Sequence, residues 1–174
     1  MTNITSSPKK NDLPAIMIVE DEFIIADDIR TCLEKMNYTV CGLAASGPKA
    51  IEMARQKRPD LILMDIMLKG DMDGIQAAEQ IKDELNISAI FLSAYSDDAI
   101  LERARISMPY GYLIKPFKDR ELRASIDMAL YRDKMEKEKD RLINELEAAL
   151  KEVKTLKGLL PICSHCKNIR DDTG

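Results

Sequence analysis

The pattern that most constrains the fold is an alternation, over the first 117 residues, of short apolar runs with amphipathic segments. Uninterrupted apolar runs are typical of strands that are covered on both faces, and their alternation with helices is typical of a parallel sheet. The predicted strands are 15–19, 38–44, 61–64, 89–92 and 112–114. The predicted helices are 23–36, 49–56, 74–85, 98–106 and a helix that starts at Asp119. We therefore predict an α/β fold, a doubly wound five-stranded parallel sheet.

Composition excludes several kinds of function. The one histidine is His165, so the first 164 positions offer no histidine base or histidine metal ligand. The net charge of −4 gives no basic surplus for binding nucleic acid. No apolar run approaches the roughly 18 residues of a membrane span, and the polar N-terminus lacks the apolar stretch of a signal peptide. Cys32 and Cys41 suit reduced thiols, which favours a cytoplasmic protein.

Chemically active side chains follow the predicted strands. Glu20 and Asp21 follow the first strand, Asp65 ends the third, Ser93 follows the fourth, and Lys115 follows the fifth. Ligands of doubly wound sheets bind at the carboxyl ends of the strands, so we expect these side chains to converge. Neighbouring carboxylates repel one another unless a cation intervenes, and hard oxygen ligands suit Mg²⁺. A carboxylate can also be the nucleophile in phosphoryl transfer, and Asp65 stands alone at a strand end.

Together these motifs resemble the receiver domain of bacterial two-component response regulators. The similarity extends from residue 16 to about residue 130 and includes the segments "LILMDIML", "FLSAYSD" and "GYLIKPF". It implies the receiver fold and a phosphoryl group accepted on Asp65. The donor would be the phosphohistidine of a sensor histidine kinase or a phosphotransfer protein.

The resemblance also implies roles for individual residues. The expected Mg²⁺ ligands are Glu20, Asp21, Asp65 and the backbone carbonyl of Met67. The expected phosphoryl contacts are Ser93, Ala94 and Lys115, with a cis bond between Lys115 and Pro116. Ser93 and Tyr112 are the expected switch residues, which would move when Asp65 is phosphorylated.

The loop after Asp65 departs from the commonest pattern of that family. Lys69 stands where many members have proline, and one more residue precedes Gly74. We expect a looser loop that flanks the site and leaves the metal ligands in place. Asp71 and Asp73 superficially suggest a calcium loop, but the spacing of an EF-hand is not met.

The last predicted helix continues beyond the sheet domain. From Asp119 there is no glycine or proline before Gly158, which predicts one helix of about 40 residues, roughly 60 Å long. A heptad seam can be drawn through 128, 135, 142, 149 and 156 on one position and 132, 139, 146, 153 and 160 on the other. This seam predicts a parallel coiled coil and a homodimer. A solvated single helix is the alternative, because Arg132 and Lys139 interrupt the seam.

The C-terminal tail carries a Cys-x₂-Cys pair, Cys163 and Cys166. This spacing occurs in zinc sites, but a structural zinc needs four ligands and one chain supplies at most these two and His165. The tail resembles a "GLLPICxxCKxIR" segment that follows signalling helices in some bacterial regulators, where a second pair comes later. Unpaired thiols, one metal shared by two tails and a redox pair all stay open.

These expectations divide the chain into four parts: a disordered leader (1–13), a receiver domain (14–130), a coiled-coil signalling helix (131–160) and the short tail (161–174). The predicted function is a phosphoryl-controlled switch that signals through a dimerising helix. No catalytic or DNA-binding output module is recognisable, so the chain is not expected to be an enzyme. The alternatives are a phosphorylation-independent dimeric scaffold, that is a degenerate receiver, and a zinc-linked interaction module.

Overall fold

A computed structural model describes residues 13–94 and 110–159, with side chains up to residue 153. The predicted leader, the predicted helix 98–106 and the Cys-x₂-Cys tail lie outside the described residues, apart from the last residue of the leader.

Five parallel strands form one sheet, as predicted. They are β1 (Ala15–Val19), β2 (Thr39–Ala44), β3 (Leu61–Asp65), β4 (Ala89–Ala94) and β5 (Gly111–Lys115). Their order in the sheet is β2-β1-β3-β4-β5. After β1 the chain moves outward to β2, and it then returns to the other side of β1 to form β3. Such a reversal opens a crevice at the carboxyl ends of β1 and β3, where doubly wound sheets bind their ligands.

The described helices are α1 (Phe23–Lys35), α2 (Gly47–Lys57), α3 (Gly74–Leu85) and the C-terminal helix (Asp119–Leu159). α2 starts two residues before its predicted first residue, because Ser46 is its N-cap and Pro48 suits the first turn. α3 starts with a capping box: the Asp73 carboxylate accepts from the Gln76 amide at 2.8 Å, and the Gln76 side chain accepts from the Asp73 amide at 3.1 Å.

Alternate residues of the central strands enter opposite layers of the core, as the two-residue period of a strand requires. One layer packs against α2 and α3 and includes Met17, Val19, Ile62, Met64 and Phe91. The other layer packs against α1 and the first turns of the C-terminal helix and includes Ile16, Ile18, Leu63, Leu92 and Ile126. Both faces of the sheet are therefore covered, which explains why its strands are apolar without interruption.

The described residues form two compact units, of which the first ends at Asp133 and the second starts at Lys134. Cys32 and Cys41 are free thiols. In the described part of the chain, none of the helices combines the length and the apolar character that a membrane span needs.

Replacement of Leu63 by alanine tests the importance of the central strand. Leu63 is fully buried, so Leu63→Ala should lower the free energy of unfolding by about 3 kcal/mol, measured by urea denaturation. Ile24→Ala is the control: Ile24 is 75% exposed, and its replacement should change stability by no more than about 0.5 kcal/mol. Equal losses in the two variants would contradict this description of the core.

Candidate functional site

Three carboxylates meet at the carboxyl ends of β1 and β3. Val19 pairs with Met64 in the sheet, so Glu20 and Asp65, the residues that follow them, lie side by side. Carboxylate oxygens of Glu20, Asp21 and Asp65 all lie within 4.8 Å of one another. The register of two neighbouring strands thus brings the predicted acidic residues together.

Lys115 connects the acidic cluster to the end of β5. Its Nζ lies 2.5 Å from Oε2 of Glu20 and 2.6 Å from Oδ2 of Asp65. The side chains of Glu20 and Asp65 are 1% and 8% exposed, and that of Lys115 is 17% exposed. Because the three groups are buried together, each charge depends on its partner for the stabilisation that water would otherwise provide.

Burial and pairing shift the pKa values of two of these groups. Burial raises the pKa of Glu20 above its ordinary value, and the hydrogen bond from Lys115 opposes this only in part. Burial alone would lower the pKa of Lys115, but hydrogen bonds to Asp65 and Glu20 outweigh it, and the pKa lies above its ordinary value. Lys115 therefore stays a full positive charge beside Asp65.

The backbone around Asp65 sets the direction of its carboxylate. The Met67 amide donates to Oδ1 of Asp65 at 2.8 Å, while Lys115 donates to Oδ2. The Ile66 amide donates to the Leu92 carbonyl at 3.0 Å, which keeps the chain beside β4 for one residue beyond Asp65. Both oxygens of the carboxylate thus have a donor, and its orientation is defined before any ligand arrives.

Gly74, the first residue of α3, packs directly on the backbone of Asp65. Its amide donates to the Ile66 carbonyl at 3.0 Å, and a Cβ atom at this position would lie 1.8 Å from the carbonyl oxygen of Asp65. Only glycine permits this approach. Sequence reasoning did not identify this role, although a glycine at the first position of a predicted helix was a signal for it.

A second lysine reaches the cluster from the loop after β3. Lys69 Nζ lies 2.7 Å from Oδ2 of Asp21, whose side chain is 10% exposed, whereas that of Lys69 is 81% exposed. The hydrogen bond and the charge of Asp21 raise the pKa of Lys69. The loop that was expected only to flank the site therefore places a cation on one of the predicted metal ligands.

The predicted switch residues lie in β4 and β5, and among the described contacts neither is bonded to the acidic cluster. Ser93 is buried in β4, and its hydroxyl donates to the Ala94 carbonyl at 3.1 Å. Tyr112 pairs with Phe91 across β4 and β5 and is 38% exposed. The Lys115–Pro116 peptide bond is cis, as the resemblance implied.

The donor set fits a hard divalent cation. Glu20, Asp21 and Asp65 offer carboxylate oxygens that are close enough to share one ion, without any nitrogen or sulfur ligand. This is the chemistry that Mg²⁺ prefers, since it binds through one or a few carboxylates and keeps several waters.

A methyl group at position 74 tests the packing on Asp65. Gly74→Ala should lower the free energy of unfolding by about 2 kcal/mol or more, because the added Cβ overlaps the Asp65 carbonyl and one backbone must move. Gly111→Ala is the matched control, since its Cβ would meet its nearest atom at 3.9 Å. Urea denaturation measures both changes. A Gly74→Ala variant as stable as Gly111→Ala would show that the contact has little energetic importance.

Comparison with known proteins gives the family. The model of the response regulator receiver domain matches residues 16–127. The transcriptional regulatory protein PdtaR of Mycobacterium tuberculosis is 35% identical over 149 residues, which cover 83% of this chain and 72% of that protein. The transcriptional regulatory protein YdfI of Bacillus subtilis is 29% identical over 116 residues, 66% of this chain and 54% of that protein.

Solved structures agree with this result. The receiver domain of a modulated diguanylate cyclase from Desulfovibrio desulfuricans G20 has a TM-score of 0.69 and 38% identity, covering 72% of this chain and 99% of that chain. The N-terminal domain of a response regulator/sensory box/GGDEF protein from Carboxydothermus hydrogenoformans has a TM-score of 0.65 and 36% identity, covering 70% and 98%. The sheet order, the strand-end acidic cluster and these matches lead to one conclusion: the chain belongs to the response regulator receiver family.

Proposed function

We propose that this chain is a phosphoryl-accepting switch in which Asp65 receives a phosphoryl group from the phosphohistidine of a sensor histidine kinase or a phosphotransfer protein. The main observation behind the proposal is that Lys115 forms ion pairs with both Asp65 and Glu20. Asp21 adds a third carboxylate to the same cluster. A nucleophilic carboxylate is there held between an ammonium group and a set of oxygen ligands. The donor histidine would lie outside this domain, because the one histidine of the sequence, His165, is in the tail.

In the proposed step, an oxygen of Asp65 forms a bond to phosphorus while the bond between phosphorus and the donor imidazole nitrogen breaks. The imidazole nitrogen leaves with the electron pair of that bond. Lys115 is placed to neutralise charge on the transferred oxygens, and the Met67 amide keeps the carboxylate in its orientation. Mg²⁺, held by Glu20, Asp21, Asp65 and the Met67 carbonyl, would supply further neutralisation of the phosphoryl oxygens.

Apolar surface beside the site suits a protein donor. Phe23 and Ile24 start α1 directly after the acidic segment and are 74% and 75% exposed. A cavity of mixed character is lined by apolar residues, among them Ile25, Pro116 and Phe117, and by Asp28, Asp119 and Lys115. A partner that docks on this surface would hold its phosphohistidine close to Asp65.

The response to phosphorylation is proposed to involve Ser93 and Tyr112. Ser93 lies in β4, next to β3, and its hydroxyl could exchange its bond to the Ala94 carbonyl for one to a phosphoryl oxygen. Tyr112 is half-exposed on β5, three residues before Lys115, so it can turn inward when Ser93 moves. Contacts that form only with the phosphoryl group would then stabilise a second conformation.

The second unit is proposed to make the chain a homodimer. Exposed apolar side chains occur along its helix at positions 135, 142, 143, 146, 150 and 153. Four of these, Met135, Leu142, Leu146 and Val153, lie on the predicted heptad seam, while Ile143 and Leu150 widen the apolar face beyond it. A second copy of the helix would remove this surface from water, which is the driving force for pairing.

Phosphorylation of Asp65 can be tested directly by intact mass after incubation with acetyl phosphate and Mg²⁺. The wild type should gain one phosphoryl group, and Asp65→Asn should gain none, because the amide is not a nucleophile. Asp71→Asn is the matched control: it removes an exposed carboxylate from the same loop and should still be phosphorylated. No phosphoryl group on the wild type would favour the phosphorylation-independent scaffold instead.

The dimer can be tested by light scattering at micromolar concentration. Leu146→Lys places a charge on the apolar face and should convert the dimer to a monomer, because a buried unpaired ammonium is costly. Glu147→Lys adds the same side chain one position away, off the seam, and should remain a dimer. A monomeric wild type, both with and without a phosphoryl donor, would disprove the proposed homodimer.

A further inference from the structure

The pair between Lys69 and Asp21 has no role in the proposed phosphoryl transfer. Its nitrogen and oxygen are 2.7 Å apart, and Asp21 is one of the three carboxylates that can hold the metal. The loop supports this placement: Leu68 is buried next to Lys69, and Gly70 has a φ of 119°, a left-handed conformation that suits glycine. The buried Leu68 anchors the loop on one side of Lys69, and the chain turns at Gly70 on the other, while the Lys69 side chain lies at the surface.

The two lysines of the site differ in how readily they can leave it. Lys115 is mostly buried and contacts both Glu20 and Asp65. Lys69 is 81% exposed, and its described ion pair is with Asp21 alone. Water can solvate the ammonium group of Lys69 without any rearrangement of the core. Because the ammonium group of this pair is exposed and screened by water, we expect the pair to change an equilibrium by up to about fivefold.

A divalent cation at the acidic site would balance the carboxylate charges without any contribution from Lys69. Glu20, Asp21 and Asp65 together can carry three negative charges, and Mg²⁺ with Lys115 supplies three positive ones. The ammonium of Lys69 would then be a surplus positive charge beside the metal. It would also occupy a carboxylate that the metal needs as a ligand.

We propose that Lys69 competes with Mg²⁺ for Asp21 and thereby lowers the affinity of the acidic site for the metal. The inference rests on the proposed function, since it takes the same cluster to be a magnesium site. Lys69 then sets the affinity of the site for Mg²⁺. Its ammonium group is paired with Asp21 until the metal ion binds, and the ammonium group then moves into solvent. The residue that departs from the commonest family pattern then sets the Mg²⁺ concentration at which the site fills.

Isothermal titration calorimetry of the full chain with MgCl₂, without any phosphoryl donor, measures the Mg²⁺ affinity and tests the proposal. Lys69→Met should bind Mg²⁺ about three- to fivefold more tightly than the wild type at low ionic strength. Lys69→Arg, which keeps the charge, should bind as the wild type does. The difference between Lys69→Met and wild type should narrow as monovalent salt is raised, because salt screens an exposed charge.

Lys49→Met is the matched control. Lys49 also forms an exposed 2.7 Å ion pair, with Glu52 on α2, so this variant loses one positive charge away from the acidic cluster. Its Mg²⁺ affinity should equal that of the wild type. Equal affinities of wild type and Lys69→Met would overturn this inference alone, as would weaker binding by Lys69→Met. A wild type that binds no Mg²⁺ would overturn it together with the metal site of the proposed function.

Discussion

The repulsion among three carboxylates at one corner of the sheet is the constraint on which the rest of the site depends. Two of them, Glu20 and Asp65, are almost fully buried, and burial makes uncompensated charge costly. Lys115 relieves this repulsion from within the fold, and a cation from solvent can complete the compensation. The site is therefore stable only as a set of mutually dependent charges, which makes it responsive to any ligand that alters one of them.

The order of the strands makes this arrangement possible. β1 and β3 are neighbours although they are not consecutive in the chain, so acidic residues about 45 positions apart are adjacent in space. β4 and β5 then extend the sheet on one side and bring Ser93 and Lys115 to the same edge. The Asp65 carboxylate, the Lys115 ammonium and the Ser93 hydroxyl consequently lie on separate strands, and a small shift of one strand changes the distances among them.

Much of this organisation is encoded locally and could be predicted. Apolar runs predicted the five strands, and their polar ends predicted where Glu20, Asp65 and Lys115 converge. Other features depend on distances that a one-dimensional pattern does not contain. The reach of Lys69 to Asp21 depends on the path of a loop, and the apolar face that includes Ile143 depends on which side chains a helix leaves exposed. Neither follows from the predicted strands and the heptad seam alone.

The contact of Gly74 with the Asp65 carbonyl has a consequence for protein engineering. A designer who transferred the three carboxylates and Lys115 to another doubly wound sheet would reproduce the charges. The close approach of α3 to the backbone of Asp65 would not be reproduced. The helix that follows β3 must start with a residue that has no side chain, or the end of the strand at Asp65 is pushed away from its neighbours. The smallest residue of the region is thus as much a part of a transferable site as the charged ones.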